Sequence, residues 1–207
     1  MKEIWFIRHG ESIANAGIAT MEPASIPLTQ WGHQQAFALR DQLEKCPDLF
    51  IMTPYLRTQQ TAMPSLVKFP KVRVEIWPLH EYDYLAVAQC VNTTAEQRRP
   101  WVSEYWDKCD PDFIHGKGAE SFNGFSQRVI NGLSDLQNRK EQFIVLFVHG
   151  QVIRAIWQYL ATGDQALEMD VFRDKMLGFE VPNTSVFKCV YKKEGWQILA
   201  PSLTLHS

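Results

Sequence analysis

Two histidines in this 207-residue chain stand in the same local setting. Ile4-Trp5-Phe6-Ile7 runs into Arg8-His9-Gly10-Glu11-Ser12, and Phe143-Ile144-Val145-Leu146-Phe147-Val148 runs into His149-Gly150-Gln151. Each is a short apolar run ending at a glycine turn, which is how a buried strand reads. In an open α/β sheet, ligands bind at the carboxyl ends of the strands. A neutral imidazole placed there can act as a nucleophile, and the guanidinium of Arg8 beside it can hold an anion. The pair points to chemistry on a phosphate. A lone histidine at a strand end is more often structural; the duplicated setting favours two histidines converging on one pocket.

Two further residues fit that chemistry. Ile51-Met52-Thr53-Pro54-Tyr55-Leu56-Arg57 reads as a strand end, a proline turn and a helix start, so Arg57 falls in the first turn of the helix. A cation is disfavoured there by the helix dipole unless an anion binds nearby. A conflict with a local rule often marks a functional site, the alternative being a surface arginine. After a third strand, Trp77-Pro78-Leu79-His80-Glu81 offers a carboxylate. Glu81 is the candidate general acid, because transfer of a phosphoryl group to histidine requires the leaving alkoxide to be protonated. The like charge of a bound phosphate favours a protonated carboxyl.

Other chemical patterns fail. His80-Glu81 begins a zinc-protease HExxH, but Tyr84 ends it. Asp110-Pro111-Asp112 has no apolar strand before it, Gly116-Lys117-Gly118 lacks the upstream glycine of a P-loop, and no cysteine is followed six positions later by arginine. His33, His115 and His206 read as solvated or structural.

These residues need elements to position them. Leu49–Met52 and Val72–Ile76 read as further strands. Thr29 is an N-cap for a helix with Ala36, Leu39 and Leu43 on one face. Phe122, Phe125, Val129, Leu133 and Leu136 mark a second helix. Ile153, Ile156, Trp157 and Leu160 mark a third, stopped at Gly163. Ser185–Tyr191 and Trp196–Leu199 flank a hairpin turn at Lys192-Lys193-Glu194-Gly195. The alternation predicts an α/β fold, a three-layer α/β/α sandwich with a mostly parallel central sheet, as one domain over residues 1–207. Residues 82–118 fit the rhythm poorly. They carry Tyr82, Tyr84, Trp101, Tyr105 and Trp106 without a clear strand. Two readings stay open: a helical lid-like insertion over the site, or a helical subdomain that only packs against the core.

Composition narrows the partners. Charged residues are 21% and the net charge is −2 without blocks of like charge, which argues against a nucleic-acid or membrane-surface partner. Cys46, Cys90, Cys109 and Cys189 are scattered, with no metal-type spacing, and read as reduced thiols of a cytoplasmic protein. No signal peptide or membrane-spanning stretch is apparent.

Taken in order, the motifs resemble those of the histidine phosphatase superfamily, in its phosphoglycerate mutase-like branch. They are Arg8-His9-Gly10-Glu11-Ser12 with Asn15, Leu28-Thr29-Gln30-Trp31-Gly32 with Gln35-Ala36, Arg57-Thr58 with Thr61-Ala62, Glu81, Glu120-Ser121 and His149-Gly150. The resemblance implies that His9 becomes phosphohistidine while Arg8, Arg57 and His149 surround the phosphoryl oxygens. It implies that Asn15 and a backbone N–H near Gln151 donate further hydrogen bonds. Glu81 would protonate the leaving group and later activate water. Catalysis of this kind is positioning and electrostatics. It implies no metal and no cofactor, except 2,3-bisphosphoglycerate if the chain is a mutase. The expected activity is that of a metal-independent phosphomonoesterase on a small phosphorylated metabolite. A cofactor-dependent phosphoglycerate mutase and a non-catalytic phospho-ligand-binding member are the alternatives. The segment between Asn15 and Leu28 is short and lacks the Gly-Trp of mutases. Against this, Arg98-Arg99 is comparable to the mutase arginine pair that grips a second anionic group, or else is a solvated pair at a helix end. The aromatic insert could accept an apolar or ring-bearing ester, or be a hydrophobic core. A homodimer is left open.

Overall fold

The computed structural model describes residues 1–163, 166–176 and 178–199; His206 lies outside them. Among the described residues, six strands form one sheet: β1 (Lys2–Arg8), β2 (Leu49–Met52), β3 (Arg73–Ile76), β4 (Phe143–Val148), β5 (Val186–Lys192) and β6 (Gly195–Ile198). Their spatial order is β3-β2-β4-β1-β5-β6. β3, β2, β4 and β1 run parallel, and the β5–β6 hairpin joins antiparallel to β1. The third strand starts at Arg73 rather than Val72 and is an edge strand, with Ile76 59% exposed.

The helices are α1 (Gln30–Gln42), α2 (Leu56–Lys68), α3 (Val87–Cys90), α4 (Ala95–Lys108), α5 (Phe122–Asn138), α6 (Gly150–Ala161) and the short α7 (Met169–Val171). Alternation along the strands assigns them to two layers. Ile4, Phe6, Leu49, Ile51, Ile144, Leu146 and Val148 pack with Phe125, Val129 and Leu133 of α5 and Val152, Ile153 and Ile156 of α6. Ile7, Phe50, Met52, Phe143, Val145 and Phe147 pack with Leu39 of α1 and Ala62 of α2. All six residues of β4 are buried, as a parallel strand covered on both faces must be. Each fully buried Phe, Ile or Leu side chain there contributes about 1.5–3 kcal/mol from water exclusion. Thr29 and Ser121 cap α1 and α5 by accepting from Gly32 N and Gly124 N.

The insertion is helical, built on α3 and α4. Thr94 and Gln97 close a capping box at the start of α4. Tyr82, Tyr105 and Trp106 are at most 4% exposed and join the α5–α6 core, where Tyr82 stacks on Phe125 at 4.4 Å. Tyr84 packs on Tyr82, Tyr105 and Trp106, and Tyr82 and Tyr84 both also line a cavity that Arg57 borders.

Candidate active site

β1 and β4 are adjacent and parallel, and the chain leaves their carboxyl ends toward opposite faces: to α1 in one layer and α6 in the other. Such a reversal opens a crevice at the sheet edge. His9 and His149 stand on its two sides with ring centroids 5.3 Å apart. Two glycines let the loop after β1 lie against α1. A Cβ on Gly10 would meet Gly32 O at 2.6 Å, and one on Gly32 would meet Glu11 O at 2.0 Å. Thr29 and Gln35 hold the same loop: the Thr29 hydroxyl donates to Glu11 Oε1 (2.7 Å), and Gln35 Oε1 accepts from Glu11 N (2.8 Å). The motif residues of α1 are thus scaffolding for the His9 loop.

The hydrogen bonds fix both tautomers. His9 Nδ1 lies 2.7 Å from Gly10 O, which can only accept, so Nδ1 carries the proton and Nε2 bears the lone pair. Arg57 Nε donates to that lone pair (3.2 Å). Burial, then the charges of Arg57 and Arg8, hold the His9 pKa well below the ordinary histidine value. The imidazole therefore stays neutral.

His149 Nε2 lies 2.9 Å from Thr53 Oγ1, which lies 2.8 Å from Thr58 Oγ1. The Thr58 hydroxyl donates its one proton to Tyr55 O (2.8 Å). Thr53 must then donate to Thr58, and His149 must donate from Nε2 to Thr53. Among the described residues His149 Nδ1 is left as a buried lone pair without a partner, and Arg8 Nε is likewise a buried donor with none. Burial, then Arg57, depresses the His149 pKa well below its ordinary value.

Arg57 is the second residue of α2, against the helix dipole as expected, and its Nη1 donates to Pro23 O (2.7 Å). Arg8 Nη1 donates to Val181 O. The Glu81 carboxylate accepts from the backbone N–H of Gln151 (3.1 Å) in the first turn of α6. The amide expected near a phosphoryl oxygen thus holds the candidate acid instead. Asn15 Oδ1 accepts from Ser12 N (3.1 Å) and Ser12 Oγ (3.0 Å), leaving its amide nitrogen as the end free to donate. His9, His149, Arg8, Arg57 and Glu81 form one cluster, and Glu81 acts electrostatically on Arg8 and Arg57. Arg98 and Arg99 part company: Arg98 lines the cavity beside Arg57 and Arg99 is exposed. His33 is exposed, and His115 Nδ1 accepts from Ala86 N (3.3 Å).

Several participants were not singled out from the sequence. Arg154 lies one turn into α6, hydrogen-bonded to Phe179 O (2.9 Å) and within the field of Glu81. Its position four residues after Gly150, on the same side of α6, was the available signal. Asn183 Nδ2 donates to His9 O (2.9 Å). The next residue, Thr184, has φ +58°, a left-handed backbone that a β-branched residue seldom adopts. Its N–H donates to Arg8 O (3.1 Å), which offsets that strain. Tyr55 packs its ring under the Arg57 guanidinium (4.8 Å) and edge-on to His149 (5.3 Å), and its hydroxyl donates to Asp83. Burial raises the Asp83 pKa to about 6, against the opposing hydrogen bond from Tyr55. Burial, then Arg128, lowers His80 to about 4. Among the described residues no group of three or more His, Cys, Asp or Glu side chains could hold a metal ion.

Comparison with known proteins matches residues 4–204 to the histidine phosphatase superfamily (branch 1). A metal-independent phosphoserine phosphatase of Arabidopsis thaliana is 24% identical over 168 residues, covering 79% of this chain and 71% of that protein. The structure of a phosphoserine phosphatase from Entamoeba histolytica, in complex with 3-phosphoglyceric acid, is similar with a TM-score of 0.76. It is 20% identical, over 100% of this chain and 99% of that one. The alpha-ribazole phosphatase of Shigella flexneri gives a TM-score of 0.74 at 24% identity, over 96% and 95% of the two chains.

Proposed function

The chain belongs to the histidine phosphatase superfamily, branch 1, and from that premise we propose that it hydrolyses small phosphate monoesters through a phosphohistidine on His9. The observation that carries the proposal is the His9 tautomer: Nδ1–H is tied to Gly10 O, and the Nε2 lone pair faces Arg57 in the crevice. His9 Nε2 attacks phosphorus, and the bond to the ester oxygen breaks. Glu81, protonated beside the bound phosphate, gives its proton to the departing alkoxide. The resulting carboxylate then takes a proton from water as that water attacks the phosphohistidine, releasing inorganic phosphate and restoring Nε2. Arg8, Arg57 and His149 face the equatorial oxygens, where fixed donors stabilise the transition state. Arg8 Nε supports this role, being a buried donor that a phosphoryl oxygen would satisfy. Asn15 adds a neutral donor from the loop after β1.

The cations of this pocket are side chains, so the reaction is read as metal-free. Residues 1–207 are read as one domain with residues 82–118 inserted. The four free cysteines favour the cytoplasm as its place. No helix among the described residues is long and apolar enough to cross a membrane.

The test is phosphate release from a panel of phosphomonoesters with EDTA present, on wild type and His9→Ala. Release that survives EDTA and is lost with His9 is expected. Isomerisation of 3-phosphoglycerate to 2-phosphoglycerate without release would make the chain a mutase. Release that persists in His9→Ala would remove His9 as nucleophile.

A further inference from the structure

Glu120 and Ser121 lie at the start of α5, and the first of them bears on Glu81. Glu81 sits on a segment, residues 77–86, that belongs to no strand or helix. Its carboxylate accepts from two backbone groups, Gln151 N (3.1 Å) and Tyr82 N (3.1 Å). The place of the carboxyl group therefore follows the backbone of its own segment. Connecting segments are the more mobile parts of a fold. A general acid must nevertheless stand within about 2.6–3.2 Å of the oxygen it protonates.

Two residues of α5, one turn apart, grip that segment. Arg128 Nη1 donates to Pro78 O (2.9 Å) and His80 O (2.9 Å), on the chain just before Glu81. Leu79, between them, is buried and packs on Gly132, where a Cβ would meet Leu79 Cδ2 at 2.9 Å. Positions 128 and 132 share one face of the helix. The rest of the guanidinium goes to Glu120: Nε donates to Oε2 (3.3 Å) and Nη2 to Oε1. Glu120 N in turn donates to Asp83 O (3.0 Å), on the chain just after Glu81. One ion pair thus ties the backbone on both sides of Glu81. Its anchor is rigid, because Ser121 caps α5 by accepting from Gly124 N (3.1 Å) and Phe122, Phe125 and Val129 are buried in the core. A planar fork matched to two carbonyls and a carboxylate is a positioning geometry that a lysine cannot reproduce.

We infer that Arg128 and Glu120 are positioning residues for the proton transfer: they hold the segment so that the Glu81 carboxyl group stands at the leaving oxygen. The inference rests on the phosphomonoesterase reading above, with Glu81 as its acid. Neither residue acts on the attack by His9, so an ester that departs without a proton should need them little.

The experiment compares kcat/KM for benzyl phosphate, whose alkoxide must be protonated, with that for p-nitrophenyl phosphate, a similar ring that leaves without a proton. The benzyl-to-nitrophenyl ratio within one variant is insensitive to how much of that variant folds. Arg128→Gln should lower the ratio by about 10–10²-fold, the cost of a displacement of about 1 Å at a reacting group. Arg128→Lys, which keeps the charge without the fork, should lower it comparably, and Glu120→Ala should lower it too. These two carry the test should Arg128→Gln fail to fold. In a Glu81→Gln background the ratio is already low, and Arg128→Lys should lower it no further. A ratio unchanged in either Arg128→Lys or Glu120→Ala, or a fall of equal size in the Glu81→Gln background, would overturn the inference. A ratio unmoved by Glu81→Gln itself, with p-nitrophenyl phosphate still cleaved, would remove the acid role and this inference with it, leaving His9 as nucleophile. Folded wild type that releases phosphate from neither ester would remove the phosphomonoesterase reading beneath both.

Discussion

Arg57 Nε donates to His9 Nε2, so the nucleophilic lone pair and the phosphate-facing cation are in contact before substrate arrives. Burial first, and then the charge of Arg57, keeps the imidazole neutral, and the same two causes keep His149 neutral. Both have pKa values held well below the ordinary 6.5 in the folded chain.

That burial makes stability depend on pH with a definite sign. Below pH 6.5 the unfolded chain takes up protons at these histidines while the folded chain does not. Unfolding free energy therefore falls as pH drops, by up to about 1.4 kcal/mol per pH unit for each histidine. Chemical denaturation between pH 6.5 and 5 should give a shallower slope for His149→Gln than for wild type. Equal slopes would mean that His149 titrates in the fold as it does in the unfolded chain.

Phosphate binding should bring a proton with it. The Thr53–Thr58 chain fixes the His149 proton on Nε2, so the Nδ1 lone pair would repel a phosphoryl oxygen. Protonation at Nδ1 turns that repulsion into a charge-assisted hydrogen bond. Titration calorimetry of inorganic phosphate at pH 8, in buffers of different ionisation enthalpy, should report uptake approaching one proton. His149→Gln, whose amide donates without one, should abolish it. Uptake unchanged in that variant would place the proton elsewhere.

Glu81 accepts a hydrogen bond from the backbone N–H of Gln151 at the start of α6, which holds its carboxyl group beside the cluster of Arg8 and Arg57. Glu81→Gln should slow alkyl phosphates by about 10²–10⁴-fold, the usual worth of a general acid. Its effect on p-nitrophenyl phosphate, which leaves without protonation, should be far smaller. Equal losses on both esters would remove Glu81 from the acid role.

How much of this was legible in the sequence follows from the range of each relationship. His9 and His149 could be read because a strand and its glycine turn are local, and Arg57 because its conflict with the helix dipole is local. The layers on the two faces of the sheet followed from the alternation of apolar strand runs with helical segments. The role of the Gln151 amide could not be read, because its partner Glu81 is 70 residues away. Thr53 had no meaning until β2 and β4 paired and set it against His149, 96 residues on. Asp83 carries no signal in the sequence, since nothing nearby marks the Tyr55 hydroxyl as its partner. The insertion was ambiguous because some of its aromatic residues serve two purposes: Tyr105 and Trp106 build core, while Tyr82 and Tyr84 pack against that core and also line the cavity that Arg57 borders.

Asp83 should also cost stability where it is ionised. Its pKa is raised to about 6 from an ordinary carboxylate value, so the folded chain carries an unfavourable charge above pH 6. The penalty is relieved as pH falls through 6. Asp83→Asn should stabilise the fold at pH 8 by about 1–3 kcal/mol, from a shift of roughly two pKa units. The gain in Tm should shrink toward pH 5. A gain that is absent at pH 8, or constant between the two, would show that the carboxylate titrates normally.

The final prediction concerns the two glycines that bring the His9 loop against α1. A Cβ on Gly32 would stand 2.0 Å from Glu11 O, a backbone atom that cannot rotate away. The loop must then lift from α1, straining the bonds from Thr29 and Gln35 that hold it. Overpacking of this kind costs about 1–3 kcal/mol. Activity should suffer more than stability, since a displacement of about 1 Å at a reacting group can cost on the order of 10²-fold in rate. Gly178→Ala is the control, because among the described residues nothing beyond its chain neighbours lies within 4 Å of a Cβ there. Thermal unfolding and turnover of both variants should show Gly32→Ala less stable and far slower, with Gly178→Ala close to wild type. A Gly32→Ala protein with normal turnover would mean that the loop holds His9 without that contact.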